Sequence, residues 1–365
     1  MKKDMKNNLL CGSFALVLFA GFIMNILFPK DEFSMSERRK LASKPELSIQ
    51  NIVSGNYMKQ FEKYSVDHFV FRDQWRTLKA LWSKNILQKQ DNNGIYEVGG
   101  YLSMMDYPYK PKAIQHATNR FQTITDMYLD KNHQAYYSII PDKNYFMTNG
   151  SGHLGYDYQQ LLNDMHEQMK GIQYIDLFDL LTIEDYYKTD THWRQEKILD
   201  VAKRLLSGMH HKELTNYEIK DVKAPFYGVY YGQAALPLQP DRMHYVENFS
   251  IQKLSVFDGQ NKKAIPVYDM TKTTQKDPYE MYLGGPLSLV EVHNKKVKNN
   301  QHLIIFRDSF TSSLAPLLSS DYEHITLVDI RYLSYQQLAK YVDFKDSDML
   351  FIYSTFVLNN SETIK

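Results

Sequence analysis

Cysteine is nearly absent from this 365-residue chain, which has a single one, Cys11. It falls inside an apolar run near the N-terminus, so everything after it lacks a thiol. That excludes a disulfide framework, a cysteine metal cage and a cysteine nucleophile from the main part of the chain. A domain without disulfides must be held by its own core, a pattern that fits bacterial surface proteins. Charge of one sign is missing as well. The chain has 43 Lys and Arg against 42 Asp and Glu, a net charge of +1, which gives no electrostatic case for nucleic acid. Long uncharged apolar runs are missing too, with one exception.

That exception is Leu9 to Phe28, "LLCGSFALVLFAGFIMNILF". It has about the length a helix needs to cross a bilayer. Lys2, Lys3 and Lys6 precede it, and the positive-inside rule then predicts a cytoplasmic tail at 1–8 and an extracytoplasmic remainder. A cleavable signal would have a shorter apolar core of about 7–15 residues and small residues before the cut. Here the run ends "MNILFPKDEF", so an uncleaved signal anchor at 9–28 is the expectation. The polar stretch 29–50 reads as a juxtamembrane linker, and 51–365 as the extracytoplasmic domain.

What is there suits a globular domain with a sizeable core: 43% hydrophobic and 23% charged residues. The 28 tyrosines fit either a sugar-handling surface or an ordinary core with Tyr-rich strands. From Asn56 to Gln88 the pattern is that of two helices with a corner near Asp67 to Phe71. "GIYEVGGYLSMM" predicts a β-hairpin around Gly99 and Gly100. Beyond it, helical stretches (Lys112 to Lys131, Tyr156 to Lys170, the residues after His192) alternate with short apolar strands (Gln134 to Asn144, Gln173 to Phe178). This order predicts an α/β fold with a parallel sheet covered on both faces. Residues 214–300 lack helical periodicity and read as a β-rich insertion. The alternation then resumes with "HLIIFRDSF", "HITLVDIRYL" and "DMLFIYSTF".

Two short stretches could carry chemistry. In "LIIFRDSFTSSL" a strand runs from Leu303 into a turn at Arg307 and Asp308, and Ser309 opens a helix. A serine there sits at the carboxyl end of a parallel strand, next to the positive end of a helix dipole. It is either a nucleophile or the N-cap of that helix. In "TDTHW", Asp190 lies two residues before His192, with Trp193 after it. A serine nucleophile needs a base, and the base needs an orienting carboxylate. Asp190 could equally cap the next helix, or join His192 as a metal ligand, although no dense His/Asp cluster accompanies them.

Together "TDTHW", "IIFRDSFTSSLAPLL" and "HITLVDIRYL" resemble the DHHW family of bacterial surface proteins, relatives of the alginate O-acetyltransferases. "SERRKLASKPELS", "FEKYSVDHFVFRDQW", "SIIPDKN" and "FYGVYYG" support the resemblance in the same order. It implies a three-layer α/β/α, SGNH-hydrolase-like (flavodoxin-like) fold and a triad of Ser309, His192 and Asp190, with no cofactor. Departures are Arg307 for the usual glycine, Thr191 for a second histidine, and Pro286 where an oxyanion-binding asparagine is expected. Arg331, Lys143, Asp308 and Trp193 are candidates for oxyanion or substrate contacts. The plainer roles are an ion pair for Arg331 and a solvated loop position for Lys143. The implied activity is O-acetyl transfer or ester hydrolysis on a cell-surface polysaccharide, with a membrane-bound O-acyltransferase supplying acetyl groups. The competing reading is a non-catalytic glycan-binding or assembly protein on the same fold.

Overall fold

The computed structural model describes residues 2–212 and 216–365, with side chains from Lys6 onward. The start of the β-rich stretch at Leu214 lies outside the described residues. Two compact units are present: residues up to Asn92 with Gly232–Pro237, and Asn93–Tyr231 with Leu238–Lys365. Residues 51–92, which the sequence groups with the main domain, thus pack in the first unit.

In that first unit, helix α1 (Lys2–Leu27) contains the one described segment long and apolar enough to cross a membrane, Lys6–Leu27. Its side chains, such as Leu9, Phe14 and Phe19, stand exposed. Helices α2 (Asn56–Asp67) and α3 (Arg72–Asn85) meet at the expected corner. An ion-pair network secures the corner. Asp67 accepts from both Arg39 terminal nitrogens at 2.9 and 2.5 Å and from the Ala42 N–H at 2.9 Å, while Arg72 reaches Glu37 at 2.5 Å. The Arg39 hydrogen bonds hold the Asp67 carboxyl down at about 2, against the opposing effect of burial.

The second unit is built on one eight-stranded sheet. A hairpin of β1 (Ile95–Val98) and β2 (Tyr101–Met104) comes first, then α4 (Pro111–Tyr128). Strand β3 (Ala135–Ile140), α5 (Tyr158–Gln168), the short β4 (Gln173–Tyr174) and α6 (Leu199–Gly208) follow. The β-rich stretch divides in two. β5 (Glu218–Phe226) and β6 (Asp241–Glu247) form their own antiparallel pair. β7 (Leu254–Asp258), β8 (Lys263–Ile265) and β9 (Leu289–Asn294) instead extend the main sheet. The chain ends through β10 (His302–Arg307), α7 (Thr311–Leu318), β11 (His324–Val328), β12 (Ser347–Ser354) and a short helix α8 (Thr355–Asn359).

Sheet order is β8-β7-β9-β11-β10-β12-β3-β4. The strands from β11 to β4 are parallel, and β9, β7 and β8 form an antiparallel margin. Alternation along each parallel strand splits the core into two layers. Leu303, Ile305, Leu350 and Ile352 pack on one face with α6 and α7. Ile304, Phe306, Met349 and Phe351 pack on the other with α4 and α5. Both faces are therefore covered, which is why these strands read as continuous apolar runs. The carboxyl ends of β3, β10, β11 and β12 line one edge, and the turn after β10 carries Ser309.

Ile304 is fully buried in the central strand of this sheet. Ile304→Ala should lower unfolding free energy by about 2–5 kcal/mol, read from the midpoint of urea unfolding.

Candidate active site

Residues 185–194 form a tight hairpin. The Arg194 N–H donates to Asp185 O at 2.8 Å and the Tyr187 N–H to His192 O at 3.1 Å. Asp190 and His192 stand at its tip. Asp190 is fully buried. Its Oδ1 accepts from the His192 backbone N–H at 3.0 Å and from His192 Nδ1 at 2.6 Å. Its Oδ2 accepts from the Val229 N–H at 2.8 Å. A carboxylate on Nδ1 keeps the proton on that nitrogen and leaves Nε2 as an acceptor. Nε2 lies 2.7 Å from Ser309 Oγ, 117 residues on in the chain. The three side chains thus form a continuous hydrogen-bonded line, with Ser309 donating to His192 and His192 to Asp190.

Ser309 is not the cap of the following helix. Helix α7 starts at Thr311 and takes no side-chain cap. The Ser309 hydroxyl instead engages His192, and no acceptor among the described residues engages its backbone N–H. Asp308 holds this turn. Its Oδ1 accepts from the Phe310 N–H at 3.1 Å and its Oδ2 from the Ser354 N–H at 2.8 Å, joining the ends of β10 and β12. With its carboxylate committed and buried, Asp308 is a structural residue and not a substrate contact.

Trp193 is also fully buried, which corrects its candidacy for substrate binding. Its indole N–H donates to Phe310 O and Ser313 Oγ, both at 3.0 Å, and so ties the hairpin to α7. Gln195 adds a second tie by donating to Ser313 O at 2.7 Å. The imidazole of His192 stacks on Tyr279, with centroids 3.8 Å apart and planes 7° from parallel. The Tyr279 hydroxyl donates to Ser313 Oγ at 2.8 Å. Phe310 flanks the imidazole at 5.1 Å. Neither is singled out at the level of sequence: Tyr279 lies far from His192 in the chain, and Phe310 stands beside Ser309 with nothing to mark its contact with the imidazole.

Three further groups fasten the hairpin. Asp241 accepts from the Lys188 N–H at 2.8 Å, the Thr189 N–H at 2.8 Å and the Thr189 hydroxyl at 2.6 Å. The Gly228 N–H donates to Thr189 Oγ1 at 2.9 Å, and a Cβ at Gly228 would lie 2.3 Å from the Asp190 Cβ. That close approach explains the first glycine in "FYGVYYG". Lys143 is the third, and it corrects the expectation of a solvated loop lysine. It is buried, and its Nζ donates to Tyr187 O at 2.9 Å and Lys188 O at 3.2 Å. Burial pulls its ammonium down to about 7, opposed by the charges of Asp190, Asp241 and Asp142.

Arg331 follows β11 at the same sheet edge. It donates to Asp329 through Nε at 2.9 Å and Nη2 at 2.6 Å, so the ion-pair role is present. Burial works against its charge, but Asp329 more than offsets this and holds it firmly cationic. Pro286 is exposed in the loop before β9. Arg307, in the usual glycine position, is buried and donates to Leu287 O at 3.1 Å and Ser312 Oγ at 3.0 Å. Among the described residues, groups whose ligand atoms could share a metal ion are His293–Glu323–His324 and Asp130–His133–Asp346, and neither includes Asp190 or His192.

The family model described as "DHHW protein" matches residues 144–328, a span that takes in the hairpin, the Ser309 turn and β11. The chain belongs to the DHHW family. Among solved structures, a DHHW family protein from Eubacterium siraeum aligns with TM-score 0.58 and 18% identity, covering 75% of this chain and 95% of its own. Bacillus cereus PatB1 carrying a sulfonyl adduct aligns with TM-score 0.57 and 17% identity, covering 72% and 97%. The O-acetyltransferase domain of Pseudomonas putida AlgJ gives TM-score 0.44 and 12% identity, covering 73% and 92%. No curated protein matches the chain. At these identities the structural likeness is one of fold alone.

Gly228→Ala should cost about 1–3 kcal/mol and lower Tm by several degrees, because the Asp190 loop must move; an unchanged thermal midpoint would contradict that contact. Lys143 yields a pH signature. Its folded-state pKa of about 7 lies below the ordinary 10.5, so above pH 7 the unfolded chain binds a proton that the native state lacks. Stability should therefore rise with pH from about 7 towards 9, and Lys143→Met should remove that rise in urea midpoints taken across the window.

Proposed function

We propose that this DHHW protein is a serine-dependent O-acetyltransferase or acetylesterase of a cell-surface or exported polysaccharide. One observation carries the reading: the unbroken line from Ser309 Oγ through His192 to the buried Asp190, at 2.7 and 2.6 Å. Ser309 attacks the acetyl carbonyl as His192 Nε2 takes its proton, and Asp190 stabilises the imidazolium that forms. The stacked Tyr279 ring adds to that stabilisation, since an aromatic face attracts a cation. Collapse of the tetrahedral adduct expels the donor oxygen, which takes the proton back from His192. The acetyl-serine then passes its acetyl group to a sugar hydroxyl, or to water, with His192 again as base. We assign the developing oxyanion to the Ser309 N–H and the positive end of α7, and Arg331 is a candidate for holding substrate at the same edge.

The apolar run of helix α1 supports a single-pass membrane anchor, and the lysines ahead of that run support a cytoplasmic N-terminus. An extracytoplasmic site has no acetyl-CoA, so a transferase reading needs a membrane partner that delivers acetyl groups, such as a membrane-bound O-acyltransferase.

The purified full chain in detergent should hydrolyse 4-nitrophenyl acetate and react covalently with a sulfonyl fluoride at Ser309, located by peptide mass. Ser309→Ala should lower kcat/KM by ~10³-fold or more, and Asp190→Asn by up to ~10⁴-fold with the fold intact. Full activity in Ser309→Ala sinks the triad.

A further inference from the structure

Three donor groups converge at the other edge of the sheet, where β9 ends and β11 begins. His293 on β9 lies directly opposite His324 on β11 in the antiparallel register. Directly opposite side chains share a face, and the two imidazoles stack with centroids 4.5 Å apart and planes 10° from parallel. Glu323 precedes the first residue of β11, so strand alternation does not send it to the opposite face. Its carbonyl accepts from the Asn294 N–H at 2.9 Å, which fastens it to the end of β9. One ligand atom from each of His293, Glu323 and His324 lies within 4.8 Å of the other two.

The spacing fits a bridging ion better than a hydrogen bond. His293 Nε2 stands 3.7 Å from Glu323 Oε1, beyond hydrogen-bond reach. Two ligands of one tetrahedral zinc, each bonded at about 2.0–2.1 Å, stand about 3.3 Å apart. That nitrogen is buried and has no hydrogen-bond partner, so the fold leaves its polar capacity unused. The Glu323 side chain is buried as well. Its Oε2 accepts from the Asn300 N–H at 3.1 Å, which orients the carboxylate as an outer hydrogen bond orients a metal ligand.

One cation already faces the site. Lys298 Nζ donates to Glu323 Oε1 at 3.0 Å. Its side chain is 66% exposed, and an ion pair so open to solvent is worth little, so a divalent ion displaces it at small cost. His302 stands nearby, 6.1 Å from His324 between centroids, but Thr326 and Ser347 engage both of its nitrogens and it is not a ligand. Two imidazole nitrogens with one carboxylate oxygen suit zinc and similar transition ions, whereas calcium and magnesium take oxygen ligands. We infer that His293, His324 and Glu323 bind a zinc-class divalent ion that cross-links the end of β9 to the start of β11. His324 is exposed, so a fourth position is open to water. The ion fastens the antiparallel margin to the parallel strands at the edge away from Ser309, and the inference is independent of the serine reading.

The test is calorimetric titration of the full chain in detergent, first freed of metal with a chelator, using zinc chloride, with magnesium and calcium chloride as controls. Zinc should bind with a dissociation constant on the order of 1–10 µM and raise the thermal midpoint. His293→Ala, His324→Ala and Glu323→Gln should each weaken that binding by ~10-fold or more and remove most of the rise, whereas Lys298→Met should tighten it by ~3-fold. Thermal midpoints in chelator check that the variants are folded; His324→Ala, at an exposed position, keeps the test valid if the others unfold. Zinc binding no tighter than ~100 µM, binding unchanged in His324→Ala, binding weakened in Lys298→Met, or magnesium or calcium binding as tightly as zinc overturns the inference.

Discussion

A carboxylate buried as completely as Asp190 has to have its charge answered by hydrogen bonds, and most of the site follows from that requirement. Two donors come from His192, through its N–H and Nδ1, and one from the Val229 N–H. Bringing the Val229 amide that close forces glycine at position 228, since any side chain there would collide with Asp190. The hairpin that carries Asp190 has few apolar residues at its tip, so it is fixed from outside by Asp241 on one side and Lys143 on the other. The second charge, on Lys143, sits within the field of the first. Burying a cation near a buried anion lets each reduce the desolvation penalty of the other, without a direct ion pair.

The sheet supplies the other half of the geometry. Ser309 leaves the end of β10 in a turn that Asp308 closes by reaching across to β12. Because Asp308 takes the Phe310 N–H, the serine beside it is released from capping duty and its hydroxyl is available to His192. Trp193 and Gln195 then set the spacing between hairpin and helix α7 by donating to groups on that helix and at its start. The stretch from Asp190 to Gln195 therefore reads as one device: a carboxylate, the imidazole it holds, and two side chains that dock that imidazole against Ser309.

Local pattern made much of this legible. The strand–turn–helix at Ser309, the Asp190–His192 spacing, the corner between α2 and α3 and the hairpin at Gly99 and Gly100 all depend on neighbours in sequence. What stayed hidden depends on distance along the chain. Tyr279 stacks on His192 although it lies 87 positions further along the chain, and no motif marks it. Lys143 follows a strand in what reads as a polar loop, yet it turns inward because the carbonyls of Tyr187 and Lys188 accept its protons there. Trp193 and Asp308 were candidates for ligand contact because polar and aromatic groups near a motif suggest function. Burial converts both into supports. Strands β7 to β9 read as part of an insertion, since half-buried antiparallel strands alternate weakly and nothing local reveals that they join the parallel sheet.

Two of the three departures from the family pattern, Arg307 and Pro286, meet at one loop. Arg307 reaches from the end of β10 to Leu287 O, one residue after Pro286, and to Ser312 Oγ on α7. A glycine at position 307 could not make either bond, so the arginine braces the loop before β9 against the nucleophile helix. The loop is thereby held through the carbonyl of Leu287. Pro286 itself points to solvent and offers no N–H. In the serine mechanism proposed above, stabilisation of a developing oxyanion falls to what the turn still offers, the backbone N–H of Ser309 and the dipole of α7. Both are fixed before substrate arrives, because Asp308 and Trp193 have already set the turn, and preorganised donors of this kind are the ones that act most strongly on a transition state.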